Sequence, residues 1–96
     1  MLDIYEARRF LQEAAYAEWA DSINYAVYIR SYTLVNDAQR RLRQALYGIE
    51  DWLRAVYDKG ASPQEADYEF LRGEDRTRGL GYKTPSEVLA TQEVAR

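Results

Sequence analysis

Residues 35–56, VNDAQRRLRQALYGIEDWLRAV, decide how the rest of the chain is read. Val35, Ala38, Leu42, Ala45, Ile49, Trp52 and Val56 recur at alternating spacings of three and four, and Leu46 and Leu53 widen the stripe. A helix carries such positions on one side, so this segment buries one face and needs a surface to bury it against. Gly48 costs about 1 kcal/mol against Ala within a helix, and its place beside the seam predicts close passage of the other long helix.

That second surface lies upstream, in a first helix expected over about residues 3–31. Ile4, Leu11, Ala15, Ile23 and Val27 fall on one side of it with Ala7, Ala14 and Ala26 beside them. Small side chains on both helices favour close approach in an antiparallel hairpin. Tyr5, Tyr16 and Tyr28 fall nearly opposite, Tyr25 and Tyr32 adjoin them, and Trp19 lies between the two sides. Residues 23–35 are rich in Ile, Val, Tyr and Thr, which favour strands, but the chain offers no second strand to pair with. The hinge is expected near residues 31–37, where Asn36 and Gln39 fit a capping box for a second helix over about residues 36–59. Gly60 is the expected left-handed residue after it. Asp37 with Arg41 and Glu50 with Arg54 are spaced for ion pairs along this helix.

Two further helix starts are written in the same way. Ser62-Pro63-Gln64-Glu65 and Thr84-Pro85-Ser86-Glu87 each place a hydroxyl at the cap, proline at the first helical position and glutamate three residues after the cap. They predict a short helix over about 63–72, with Ala66, Phe70 and Leu71 inward, and a terminal helix over about 85–95 offering Val88, Leu89 and Val94. Residues 73–84 between them are polar and glycine-bearing, and are expected to be an irregular loop. The fold expected is all-α and a single domain: a hairpin of two long helices, with short C-terminal helices packed on it or reaching a neighbour.

Composition excludes much chemistry. The 96 residues hold no cysteine and no histidine, which removes disulfides, thiolate and imidazole ligands and the commonest general base. Glu65 with Glu69 and Glu6 with Glu13 share helical faces, but paired acids catalyse only where their surroundings split their pKa values. No cofactor, no metal and no catalytic residue is expected. A net charge of -3 gives no basic footprint for nucleic acid. The first residues lack the basic start and apolar run of a signal peptide, and no stretch stays uncharged long enough to span a membrane, so a cytoplasmic protein is expected.

Gly79, Gly81, Lys83 and Thr84 match a phosphate loop poorly, since Tyr82 interrupts the run and no strand precedes it. The run Leu80-Gly81-Tyr82-Lys83-Thr84-Pro85-Ser86-Glu87-Val88 resembles the end of the catalytic domain in transposase integrases. The acidic core that precedes it in that family is absent, and the resemblance implies no function here.

What remains is surface. Tyr5, Tyr16, Trp19, Tyr25 and Tyr28 on the first helix, with Arg40, Arg43, Tyr47, Arg54 and Tyr57 on the outward side of the second, are candidate protein-contact residues, because Tyr, Trp and Arg anchor interfaces. The leading expectation is a non-catalytic protein-binding module, of the kind a small phage or mobile-element inhibitor or adaptor represents. The alternative is a structural subunit, such as a virion component, that self-associates through the tyrosine side of the first helix. Third comes a weak nucleic-acid binder using Arg76, Arg78 and Lys83.

Overall fold

The structure, a computed structural model, describes residues 2–95 and the surroundings of side chains as far as residue 92. Five α-helices follow one another: α1 (Ile4–Tyr28), α2 (Tyr32–Leu53), α3 (Pro63–Leu71), α4 (Glu74–Gly79) and α5 (Pro85–Ala95). A turn of π-helix, Arg54–Asp58, extends α2. Among the described residues there is no strand.

α1 and α2 form the expected antiparallel hairpin. Tyr57 pairs with Leu2, Glu50 with Arg8 and Arg41 with Ser22, so contacts advance along one helix as they retreat along the other. Ala7, Phe10, Leu11 and Ala15 of α1 meet Ala45, Ile49, Trp52, Leu53 and Val56 from the second arm, and Leu42 and Leu46 pack at the margin. The stripe read from residues 35–56 is therefore the spine of the core. Val27 is the exception on α1: it is 63% exposed, because nothing among the described residues beyond the hairpin covers that end.

The hairpin turns earlier than the Asn36–Gln39 box predicts. Asp3 caps α1 through the Glu6 amide. At the other end, Ser31 N–H donates to Ala26 C=O and Arg30 N–H to Val27 C=O, the paired bonds of a Schellman motif. Arg30 takes the left-handed position, φ 55°, that glycine usually fills. Ser31 then caps α2 by accepting from the Leu34 amide, so the strand-prone run continues as helix. Each β-branched residue costs only a few tenths of a kcal/mol in a helix, and two aligned helices offset that by packing.

The C-terminal helices lie on the hairpin. Ser62 accepts from the Glu65 amide and Thr84 from the Glu87 amide, so both caps form as expected, and Gly60 is left-handed at φ 71°. Ala66 and Phe70 are buried from α3, and Val88 and Leu89 from α5. Leu71 points outward, 49% exposed; Val94 lies outside the residues whose side chains are described.

Residues 73–84 are the main departure from expectation. Glu74–Gly79 is helical, with acids in its first turn and Arg76 and Arg78 in its last, the order the helix dipole favours. It packs along α2. A Cβ built on Gly79 would stand 2.5 Å from Ala45 Cβ and 2.8 Å from Arg41 C=O, so backbone rides directly on backbone. Gly48 does admit a close neighbour, but that neighbour is Phe70 of α3 with the stem of Arg76, not α1.

Candidate protein-interaction surface

Carboxylates of α2 draw most of the arginines into the fold. Asp37, only 19% exposed, accepts from Arg41 and Arg40, and Arg78 approaches it to 3.7 Å. Arg41 also donates to Ser22 across the hairpin, and Arg40 reaches Asp75 of α4 at 3.1 Å. Arg76 pairs with Asp51 at 3.2 Å, while its stem lies against the positions of Gly48 and Gly73. Arg8 holds Glu50 through two nitrogens, at 2.8 and 3.2 Å, and this hydrogen bonding raises the guanidinium above its ordinary range. Glu50 is thus taken by α1, and Arg54 turns to Asp51 at 3.7 Å.

These pairs sort the contact residues read from the sequence. Arg76 and Arg78 face α2 carboxylates as clasps between helices, while Lys83 beside them is exposed. Arg40 is paired twice. Tyr57 is packed against the core and donates its hydroxyl to Leu2 C=O at 2.6 Å, because the π-turn leaves it on the α1 side. Trp19 is half-buried and lines a narrow cleft with Ala38, Leu42 and Gly79. Tyr5, Tyr16, Arg43, Tyr47 and Arg54 are exposed on the flanks.

The largest concentration of uncovered apolar groups is at the hairpin tip. Tyr25, Val27, Tyr28, Ile29 and Tyr32 crowd within eight residues of chain, and Tyr28 and Tyr32 are 84% and 87% exposed. α4 grips α2 from Asp37 onward and α5 flanks α1 as far as Asp21, so among the described residues the C-terminal layer stops short of the tip. From Ser22 to Asn36 there is no acid and a single cation, Arg30, which has no ion-pair partner among the described residues. With rings of about 150–250 Å² each, the exposed fractions of Tyr25, Tyr28 and Tyr32 amount to on the order of 450 Å². The sequence pattern puts Tyr25, Tyr28 and Tyr32 on an aromatic side running along all of α1, whereas the earlier turn between Tyr28 and Tyr32 brings them to the tip.

Near the other end of the hairpin is an open groove of about 540 Å³ between the π-turn and α3. Ala55, Ala61 and Ala66 line its apolar part, Tyr68 flanks it, and Glu65 and Glu69 stand at its side. Among the described residues, no group of three or more His, Cys, Asp or Glu is placed to hold a metal ion. No described helix is long and apolar enough to cross a membrane.

Comparison of the chain with protein-family models, with curated proteins and with solved structures finds no match. The class that fold and surface define is a small helical hairpin with an aromatic tip.

Proposed function

We propose that this chain is a non-catalytic protein-binding module, an adaptor or inhibitor, that docks through its hairpin tip. The observation that carries the reading is the acid-free run holding Tyr25, Val27, Tyr28, Ile29 and Tyr32, which the described C-terminal residues leave uncovered. Tyrosines on a stiff helical end lose little entropy when immobilised and offer both apolar area and a hydroxyl, which suits them to anchor an interface. The arginines, by contrast, are largely used inside the molecule, which disfavours the nucleic-acid reading.

Affinity capture compared across variants tests this. The wild-type chain should retain one dominant partner protein, identified by mass spectrometry. Tyr28→Ser with Tyr32→Ser should lose it, whereas Tyr47→Ser with Arg54→Ser should keep it. Loss with the second pair and retention with the first would move the contact to the outer side of α2.

A further inference from the structure

We propose that the hairpin tip of one copy of this chain seats in the Ala55–Ala61–Ala66 groove of another, giving a head-to-tail assembly. The inference rests on the tip being a docking surface and names what receives it. Two features of the molecule match each other. The tip is apolar and carries one cation, Arg30, that has no ion-pair partner among the described residues, with no acid from Ser22 to Asn36. The groove is apolar and bordered by two carboxylates, Glu65 and Glu69. Among the described residues Glu69 pairs with Arg72, at 3.4 Å on the open surface, a weak pair that exchanges readily.

Position supports the match. α2, 22 residues long, separates the tip from the groove by roughly 33 Å at 1.5 Å per residue, so the two lie towards opposite ends of a molecule 44 Å long. The two surfaces of one copy are therefore separate, and both can be occupied at once. Two tips meeting symmetrically would instead bring Arg30 against Arg30 with no acid at hand, since Asp37 is already engaged by three arginines. The exposed tyrosine surface of the tip, about 450 Å² in all, falls short of the ~800 Å² per partner of a standard interface, so association is weak and grows with concentration. Because the two surfaces differ, the contact does not close on itself in a pair and adds copies in series.

Sedimentation velocity on four samples tests this, with circular dichroism confirming equal helix content. The average mass of the wild type should rise steadily between about 10 µM and about 1 mM, the range expected for a small interface. Tyr28→Ser with Tyr32→Ser removes the tip; Glu65→Arg with Glu69→Arg repels Arg30 from the groove. Each double variant should remain monomeric alone, and an equal mixture of the two should form a heterodimer and stop there, since one intact tip meets one intact groove. A wild type monomeric throughout would overturn the proposal, as would a groove variant that associates like the wild type or a mixture that does not pair. If the wild type stays monomeric while the tip variant still loses a foreign partner on capture, the docking reading stands and only the self-assembly falls.

Discussion

Gly79 lies so close to Ala45 that a side chain on either α4 or α2 fixes how near the two helices come; a Cβ on Gly79 would be 2.5 Å from that of Ala45. Gly79→Ala should force α4 away from α2 and cost about 1–3 kcal/mol, the range for overpacking a tight contact. Urea unfolding should show a lower midpoint with an unchanged slope. A midpoint equal to wild type would mean that α4 is not seated on α2 as described.

Arg30 presents the opposite case. Its φ of 55° is left-handed, a conformation that costs a residue with a Cβ about 1–2 kcal/mol, and glycine gives back part of that gain as chain entropy. Arg30→Gly should therefore stabilise the fold by about 0.5–1 kcal/mol and raise Tm by several degrees. Differential scanning calorimetry decides the sign, and a fall would count against the turn geometry.

Asp37 is the centre of a cluster of arginines while Asp75 serves one. Asp37→Ala leaves Arg41, 13% exposed, without its carboxylate, and should cost about 1–3 kcal/mol. Asp75→Ala removes a pair that is half open to solvent on the Arg40 side, and should change stability by less than about 1 kcal/mol. Equal losses in chemical denaturation would contradict the hub.

Asp67 ties three helices at one oxygen, accepting from Trp52 Nε1 at 2.9 Å and from the Ser86 amide at 3.3 Å. Asp67→Ala should cost about 1–3 kcal/mol by leaving both donors unsatisfied, and the emission of Trp52 should shift as its indole N–H loses that bond. Asp67→Asn keeps the accepting oxygen and should lose less. Identical behaviour of the two variants would argue that the bonds contribute little.

The tip variants should separate binding from folding. Tyr28 and Tyr32 are almost wholly exposed, so replacing both with Ser should alter stability by no more than about 0.5 kcal/mol while weakening association by at least about 2 kcal/mol. A large drop in Tm would show that the rings support the turn itself.

Much of this arrangement was legible because it is local. The spacing from Ala38 to Val56 reports one buried face directly, and the Ser62 and Thr84 caps are complete within four residues. Tertiary choices were not legible. The Glu50 and Arg54 spacing suggested a pair along the helix, yet Arg8 across the hairpin claims Glu50. α4 is six residues long and owes its form to α2 beneath it; a short polar run between glycines carries no helical periodicity to read. Asn36 and Gln39 made an acceptable cap, but Ser31 came first in a turn closed by Arg30, a residue that sequence rules do not place in a left-handed bend. That misplacement hid how tightly Tyr25, Tyr28 and Tyr32 gather at one end.

The connection between α1 and α2 is only three residues long, and that brevity bears on the order of assembly. Short closures are quick and lose little entropy, so the hairpin can close before residues 63–95 pack on it. Until they do, the flank of α2 that receives Gly79, Phe70 and the stem of Arg76 is bare, and the chain shows two sticky regions instead of one. Seating of the C-terminal third extinguishes the first and leaves the second as the surface the finished molecule presents.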